Sequence, residues 1–316
     1  MIASHRFPTF RTDTARLDAR YLFWFFRTAG GLELLQRVSP GGAGRNRTLN
    51  RGAFLEQTVP IPCLDEQRDV VARVEELAAN IATARSLRDE AAKEAEALAM
   101  SARGEALGDT VRGDWILLST YVAEIENGKS PATEGRPASA DEWAVLKLGA
   151  VSFGSFDERE NKALPASFTP IPHLEVKSGD FLMSRANTAE LVGACTVVPG
   201  TRPKLMLSDK LFRFIFREPR DVDPAYLDHA LKSPALREQI VSAASGTSPT
   251  MKNISKEKVL ALRVPPHPLR EQRRIVSRLD GLLVKVSALR HLQTGTAAEL
   301  DALLPAVLDR AFKGEF

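Results

Sequence analysis

The chain has 316 residues, of which 44% are hydrophobic, and its 43 basic and 40 acidic side chains give a net charge of +3 at pH 7. This composition is typical of a globular protein with two domains, and the balanced charge only weakly favours a polyanionic partner. The N-terminus lacks an apolar signal core, and the longest apolar run, residues 21–26, is too short to cross a bilayer. Two cysteines, Cys63 and Cys195, indicate neither a disulfide framework nor a metal site. We therefore expect a cytoplasmic protein without a membrane span.

A duplicated stretch is the strongest pattern in the sequence. Residues 59–68 read VPIPCLDEQR and residues 264–273 read VPPHPLREQR. Their Glu-Gln dipeptides lie 205 positions apart (271 − 66), and the same offset relates Tyr-Leu at 21–22 to Tyr-Leu at 226–227. A constant offset over this distance indicates an internal repeat. The repeat predicts two equivalent units, each ending in a long helix.

The predicted elements follow in chain order. Residues 1–11 read as a short strand-like piece, and residues 17–38 as a helix interrupted at Gly30-Gly31, with its counterpart at 222–241. A polar or glycine-rich loop comes after each helix, and a proline-rich strand then precedes the long helix. Between the two units, short apolar runs separated by Gly and Pro predict a compact β-rich body. Its predicted strands are residues 115–118, 144–148, 180–183, 194–198 and 211–216.

The long helices carry a heptad pattern. With Val70 and Ile275 as a positions, most a and d positions are apolar in both helices. The d position is polar in each helix at one equivalent level, Arg88 and Gln293, which are related by the same offset (293 − 88). A stripe this narrow needs a partner helix, so we predict that the two helices pair; two unrelated surface helices would leave the matched polar positions unexplained. The predicted seam residues are Val70, Val74, Leu77, Ile81, Arg88, Ile275, Leu279, Leu282, Val286 and Gln293.

The lengths of the two helices are predicted from glycine and proline positions. The first should run from Glu66 to about Ala102, which is about 55 Å at ~1.5 Å per residue. A break with three glycines follows at 104–113. In the second helix, Pro305 is predicted to kink or end the regular part.

Four stretches together resemble a known family. They are Pro-Leu-x-Glu-Gln at 268–272 before the long helix, Asn-Gly-Lys-Ser-Pro at 127–131, Gly-Asp-Phe-Leu-Met-Ser-Arg at 179–185 with Leu-Val-Gly at 191–193, and the ending Ala-Phe-Lys-Gly-Glu-Phe at 311–316. The chain is similar in these motifs to the specificity subunit of type I restriction-modification systems. The resemblance covers almost the whole chain.

The resemblance implies a DNA-reading subunit without catalytic activity of its own. In this family two target-recognition domains each read half of a split DNA sequence, and an antiparallel pair of long helices holds them apart. The helices also dock two methyltransferase subunits and recruit the restriction-translocase subunit. Those partners use S-adenosylmethionine, ATP and Mg, whereas we expect no cofactor on this chain.

The sequence differs from the family in lacking most of the first recognition domain, so we predict an N-terminally truncated member. The predicted fold is α+β, with a compact α/β recognition domain and a two-helix antiparallel coiled coil. Residues 1–64 are predicted to be a remnant of the first domain and 65–108 the first helix. Residues 109–264 are predicted to form the complete second domain, which reads a half-site, and 265–316 the second helix.

Basic and polar residues in the predicted turns are the candidate DNA contacts, because such side chains bind phosphates and base edges. Each has the alternative of being a solvated loop residue. Arg213 and Arg217 alternate along a predicted strand, which favours its solvent-facing side. The candidates are Lys129, Ser130, Arg185, Asn187, Thr188, Arg202, Lys204, Lys210, Thr247, Lys252 and Asn253.

Other chemistry finds little support in the sequence. Gly-Lys-Ser at 128–130 resembles the end of a Walker A loop, but position 123 is Ala and Pro131 follows where a helix should start. The five histidines have no metal-ligand spacing. Three alternatives remain open: a coiled-coil scaffold that binds protein, a degenerate fragment without function, and an enzyme whose site the sequence does not reveal.

Two aromatic residues predict a partner surface. Phe23 and Trp24 align through the offset with Asp228 and His229, so one copy is apolar where the other is polar. We expect Phe23 and Trp24 to contact a methyltransferase subunit or a second chain, and their replacement by Asp and His to weaken assembly without unfolding the chain. Self-association by pairing of helices between chains is a further expectation.

Overall fold

The computed structural model describes residues 9–39, 48–108, 113–152, 154–218, 220–246 and 251–315. The candidate Thr247 lies outside these ranges, and so do residues 1–8 of the predicted strand-like piece at 1–11. The chain forms two compact units, one from residues 1–94 and 288–316 and the other from residues 95–287. These units cut across the four segments predicted from the sequence, whose boundaries stay a prediction.

The first unit is helical. Its elements are α1 (Ala19–Phe25), α2 (Ala29–Arg37), α3 (Arg51–Leu55), most of α4 (Leu64–Leu107) and the end of the last helix, α8 (Leu269–Phe312). The predicted helix at 17–38 is interrupted, but not at the two glycines. The interruption comes earlier because Thr28 caps α2, accepting a hydrogen bond from the Gly31 N–H at 3.0 Å. Gly31 lies inside α2, where a Cβ atom would come within 2.1 Å of the Phe25 carbonyl oxygen.

The second unit holds the β-rich body, and each predicted strand region contains an observed strand. A four-stranded antiparallel sheet contributes side chains to both clusters of buried residues, and a three-stranded sheet contributes to one of them. The sheet orders are β2-β9-β5-β7 and β4-β3-β8, with two-stranded pairs β1-β11 and β6-β10. The elements are β1 (Ile116–Leu117), β2 (Val122–Asn127), β3 (Ala144–Leu146), β4 (Asn161–Ala163), β5 (Phe181–Ser184), β6 (Ala186–Asn187), β7 (Cys195–Val197), β8 (Leu205–Met206), β9 (Leu211–Phe216), α5 (Pro224–Leu231), α6 (Pro234–Ala243), β10 (Lys252–Asn253), α7 (Lys256–Leu260), β11 (Arg263–Val264) and the first part of α8.

The repeated Glu-Gln dipeptide has a structural cause in its glutamine. Gln67 is fully buried; its side-chain oxygen accepts from the Asp18 N–H at 2.9 Å, and its amide donates to the carbonyls of Arg16 and Pro62, both at 2.9 Å. Gln272 is equally buried and makes the same three bonds in the other unit, to residues displaced by the same offset. Each glutamine therefore links the start of a long helix, through hydrogen bonds, to the backbone at the beginning of the short helix pair that precedes it.

Further hydrogen bonds repeat in the same way. The Tyr21 hydroxyl donates to the Pro60 carbonyl, and the Tyr226 hydroxyl donates to the Pro265 carbonyl. The N-caps of α1, α2 and α3 recur at equivalent positions of α5, α6 and α7. The internal repeat inferred from the sequence is thus present in the three-dimensional structure.

The two long helices pack together, as predicted. In the first unit Val74 of α4 is buried against Leu308 and Ala311 of α8, and Arg85 forms an ion pair with Asp301 at 2.8 Å. Since a later position on one helix contacts an earlier position on the other, the helices are antiparallel there. In the second unit Leu107 shares a core with the start of α8.

The buried row of the helix pair differs in one respect from the predicted seam. The d positions Val74, Ile81, Leu279 and Val286 are buried, and Arg88 and Gln293 are half-buried. In α4 the buried a row lies one residue further on: Val71 and Ala99 are buried, whereas Val70 and Leu77 are half-buried and Leu98 is 54% exposed. In α8, Ile275 is buried and Leu282 is half-buried. In α4 this buried row includes Val71, which lies one helical turn after the buried Gln67, whereas in α8 the predicted a position Ile275 is itself buried.

Both helices continue past the glycine and the proline at which an interruption was predicted. Helix α4 continues through Gly104 to Leu107, and α8 continues through Pro305 to Phe312. The expectation that Pro305 ends the regular helix is therefore wrong. Pro305 is exposed, so the backbone carbonyl that loses its partner to the proline lies on the solvent-accessible side of the helix. At ~1.5 Å per residue each 44-residue helix is about 66 Å long.

Candidate nucleic-acid interface

Several of the predicted DNA contacts meet at one edge of the β-rich body. They come from the turn after β2, the turn before β9, the end of β5 and strand β10, which are distant in sequence. Lys129 donates its backbone N–H to the Leu207 carbonyl at 3.0 Å, and the Ser130 hydroxyl hydrogen-bonds to the Asp209 carboxylate. The two turns are therefore joined directly.

Gly128 allows this close approach of the two turns. A Cβ atom at position 128 would lie 1.9 Å from the Leu207 carbonyl oxygen and 2.6 Å from the Ser208 nitrogen. The Leu207 carbonyl is also the acceptor of the Lys129 N–H, so moving it away would weaken that bond. The glycine in the Asn-Gly-Lys-Ser-Pro motif is thus required by packing, and a phosphate-binding loop is not needed to explain it.

The remaining segments attach to the same edge through backbone bonds. Arg185 donates its N–H to the Lys210 carbonyl at 2.8 Å and accepts from the Ile254 N–H at 3.0 Å. Strand β6 pairs with β10 so that Asn187 faces Lys252. We call the set of Lys129, Ser130, Arg185, Lys210 and Lys252 the polar ridge.

The polar ridge is mostly exposed and carries more positive than negative charge. Lys129, Ser130, Arg185 and Lys210 are exposed, and Lys252 is half-buried with its amino group 2.7 Å from the Gly246 carbonyl. The acidic neighbour Asp209 is already engaged by Ser130 and by Lys210 at 3.5 Å. Flexible cations beside hydroxyl groups can bind phosphates and the acceptor edges of bases.

Three other candidates at this edge have structural partners. The Asn187 amide donates to the Ser152 hydroxyl at 3.1 Å, and its oxygen accepts from the Thr188 N–H at 2.9 Å. The Glu190 carboxylate has a lowered pKa because its own N–H and the Thr188 hydroxyl bond to it. Asn253 is exposed, and its backbone N–H and carbonyl both pair with Ser245. The hydrogen bonds of these residues fix the conformation of the segments at this edge.

Arg202 and Lys204 lie on a different part of the body. Arg202 donates to the carbonyls of Ala140 and Glu142, and Lys204 donates to the carbonyl of Asp141 at 2.8 Å. Both cationic groups therefore close the loop at 140–142, beside the three-stranded sheet. The structure does not bring them to the polar ridge.

Arg213 corrects a sequence-based interpretation. It is buried, with 8% of its surface exposed, and does not lie on a solvent-facing side of its strand. It forms ion pairs with Glu126 and with Asp180, the latter at 3.0 Å, and donates to the Glu175 carbonyl at 3.0 Å. Burial opposes the charge, but these bonds raise the pKa of Arg213 above its ordinary value. Since Glu126 lies on β2 and Asp180 lies just before β5, alternation along one strand could not reveal this network.

The described residues show little other chemistry. Among them no cluster of His, Cys, Asp and Glu side chains could hold a metal ion. Burial raises the pKa of the Cys195 thiol well above its ordinary range, so this cysteine is a poor nucleophile. None of the helices in the described ranges combines the length and apolarity that a membrane span requires.

The two predicted partner residues differ in environment. Phe23 is 49% exposed, with the Arg27 guanidinium 3.6 Å from the centre of its ring. Trp24 is half-buried and packs against the cluster of Val74, Leu308 and Ala311. Replacing Trp24 would disturb the helix pair itself, so Phe23 alone is suited to test a partner surface.

Comparison with known proteins gives a consistent result. The chain is 32% identical over 201 residues to the specificity subunit of the type I restriction enzyme EcoEI from Escherichia coli, a match that covers 62% of this chain and 34% of that subunit. It is 23% identical over 294 residues to the EcoKI specificity subunit from Escherichia coli strain K12, covering 88% of this chain and 62% of the relative. The chain therefore spans less than two thirds of the length of each relative. No family model matches the chain.

Solved structures show the same fold. The crystal structure of the HsdS subunit from Thermoanaerobacter tengcongensis matches 97% of this chain and 73% of its own chain, with a TM-score of 0.55 and 24% identity. A structure described as showing complex assembly and conformational transition of the type I R-M system matches 97% of this chain and 74% of its own, with a TM-score of 0.73 and 24% identity. The resemblance inferred from the sequence is confirmed: the chain is similar in sequence and in fold to the specificity subunits of type I restriction enzymes.

Proposed function

We propose that the chain recognises a sequence in double-stranded DNA, and that its β-rich body reads a half-site of a type I restriction-modification target. The observation that carries the proposal is the polar ridge. Four distant segments bring Lys129, Arg185, Lys210 and Lys252 to one edge, where the acidic neighbour Asp209 is paired with Lys210 and Ser130. The similarity to specificity subunits supports the same assignment.

The lysines and the arginine of the polar ridge would contact different parts of the DNA. Lys129 and Lys210 end in flexible ammonium groups that suit phosphates, and the planar guanidinium of Arg185 suits the acceptor edge of a guanine. With Lys129 and Lys210 on phosphates, the logarithm of the affinity should fall with the logarithm of the salt concentration with a slope of about −2. A scaffold that binds only protein would show no such dependence on duplex DNA.

The partners follow from the same proposal. The antiparallel helices would dock methyltransferase subunits, and the restriction-translocase subunit would join that complex. Methylation and ATP-dependent cleavage would belong to these partners, together with S-adenosylmethionine, ATP and Mg, so this chain would act in the cytoplasm without a cofactor. Burial of the helix-pair seam supports a rigid docking surface.

Methylome sequencing tests the proposal directly. Cells that carry the chain with its methyltransferase partner should show one methylated motif, and a Lys129→Ala, Lys210→Ala double variant should reduce methylation at that motif. Lys162→Ala is the matched control, because Lys162 is exposed on β4 in the other sheet. Equal methylation by the double variant and the control would exclude the ridge. In binding assays on duplex DNA, each ridge lysine removed should lower the salt slope by about one.

A further inference from the structure

An acidic residue, Asp209, lies among the cations of the polar ridge. It directly precedes Lys210 in the chain, and its carboxylate hydrogen-bonds to Ser130 of the facing turn. A carboxylate repels the phosphates of DNA, so a surface that bound only the DNA backbone would be better without it. Base edges differ from phosphates in this respect, because some of them carry amino groups that donate hydrogen bonds. The chemistry of Asp209 therefore suits a base rather than the DNA backbone.

The position of the Asp209 side chain is fixed by Ser130. The Ser130 hydroxyl donates to Oδ1 of Asp209, and the same hydroxyl oxygen accepts from the Asp209 N–H at 3.3 Å. Ser130 is held in turn by its neighbour Lys129, whose N–H donates to the Leu207 carbonyl, and by the close approach at Gly128. A carboxylate held in this way loses little conformational freedom when it binds a ligand.

The second carboxylate oxygen, Oδ2, has room for a ligand. Among the described residues its cationic partner is Lys210, whose amino group lies 3.5 Å away, beyond the usual length of an N–H···O hydrogen bond. The Asp209 side chain is 43% exposed. By contrast, both oxygens of Asp157, another partly exposed carboxylate of the body, accept from the Arg159 guanidinium at 2.9 Å. When Lys210 contacts a phosphate, Oδ2 is left as an exposed hydrogen-bond acceptor.

The bond between Ser130 and Asp209 also determines which hydrogen-bonding groups this site can offer. The Ser130 hydrogen is directed at Oδ1, so the Ser130 oxygen offers only a lone pair to a ligand, and Oδ2 is likewise only an acceptor. Neighbouring acceptors match a donor. On the major-groove edges of the bases, the donors are the N4 amino group of cytosine and the N6 amino group of adenine. Guanine and thymine present oxygen atoms there and would leave Oδ2 without a hydrogen.

We propose that Asp209 is a specificity-determining residue, whose Oδ2 accepts a hydrogen bond from the exocyclic amino group of a cytosine or an adenine in the major groove of the half-site. Ser130 is the positioning residue that holds the carboxylate. The assignment rests on the proposed function, because it needs the polar ridge to contact DNA. It names one base position at which the preference of the chain comes from a single acceptor.

Duplexes that carry the motif found by methylome sequencing are the probe, and the full chain in complex with its methyltransferase partner is the protein. Each cytosine or adenine of the half-site is replaced, one at a time, by an analogue without the amino group, pyrimidin-2-one or purine. Competition binding should reveal a position at which this loss weakens binding about tenfold, the size of one good base contact. The analogue that has this effect identifies the base as cytosine or adenine.

Asp209→Asn should change the preference at that position alone. Ser130 can still donate to the side-chain oxygen of the variant, and an amide nitrogen then replaces Oδ2, so an acceptor becomes a donor. The variant should bind the natural and the analogue duplex equally and should favour guanine or thymine at that position. Ser130→Ala should reduce the same preference with the acid intact. Asp141→Asn, the matched control, removes the same charge from the exposed loop at 140–142 and should leave every preference unchanged.

A uniform change in the affinity of Asp209→Asn for all duplexes would overturn the assignment, since a purely electrostatic or structural role acts on every sequence alike. An effect seen only when hypoxanthine replaces guanine would also overturn it, because that analogue lacks the minor-groove amino group. Both results leave the proposed function standing, since the wild-type complex still prefers its motif. A wild-type complex that binds all duplexes equally overturns the proposed function and this assignment together.

Discussion

The buried glutamine at the start of α8 allows a quantitative test. Gln272 makes three hydrogen bonds, to the Asp223 N–H at 2.8 Å and to the carbonyls of Asp221 at 3.2 Å and His267 at 2.7 Å. Replacement by Ala removes all three and leaves partly buried backbone groups without a partner. At about 1 kcal/mol net per bond, Gln272→Ala should lower the free energy of unfolding by about 3 kcal/mol. This corresponds to a fall of about 6–12 °C in melting temperature for a unit of this size.

Gln239→Ala provides the comparison, because Gln239 also bonds to backbone, but at an exposed site. Its amide donates to the Arg263 carbonyl at 3.0 Å and its oxygen accepts from the Arg263 N–H at 2.9 Å. Water can replace both bonds, so the loss should be below about 1 kcal/mol. Urea unfolding followed by circular dichroism measures both variants. If Gln272→Ala costs no more than Gln239→Ala, the glutamine does not fasten the helix and the explanation of the repeated dipeptide fails.

Three further predictions concern the β-rich body. Arg213→Met leaves two carboxylates without their cation and should lower the free energy of unfolding of the body by about 3 kcal/mol. The control Arg217→Met should lower it by less than about 1 kcal/mol. Urea unfolding measures both variants, and equal losses would refute the buried network. Gly128→Ala should lower the melting temperature and DNA affinity together, because its Cβ atom has no space, while Gly200→Ala should change neither. The Cys195 thiol is buried and its pKa is raised, so iodoacetamide at about pH 8 should alkylate only the exposed Cys63 of the native chain. Peptide mass spectrometry measures the labelling of each cysteine. Rapid labelling of both would contradict the burial of Cys195.

Local patterns in the sequence were sufficient for much of the fold. Apolar runs bounded by Gly and Pro located five of the strands, because these residues favour turns between strands. The constant offset located the repeat, and the d positions from Val74 to Val286 marked the row that is buried. These features depend on neighbours a few positions apart, or on identity between two copies.

Features that depend on tertiary contacts were missed. In α4 the buried row is shifted to the side of the helix that carries Gln67, a polar residue whose burial is explained by its bonds to Asp18 and Arg16. The break between α1 and α2 falls at Thr28 because a side-chain cap is available there, although Gly30-Gly31 is the stronger sequence signal. The same limit applied to the candidate DNA contacts. Arg202 had the same local features as Arg185, and only the loop at 140–142 separates their roles.

The glutamine bonds also govern how the long helices open. In the second unit Gln272 joins residues 49 and 51 positions apart in sequence, so its bonds exist only when the preceding helix pair is folded. Backbone amides in the first turns of α8 should therefore exchange with deuterium only through unfolding of that whole unit. Amides between 288 and 299, where the side chains are mostly exposed, should exchange through small local openings. Each long helix is thus most protected near its first turns, where an isolated helix would be the first to fray.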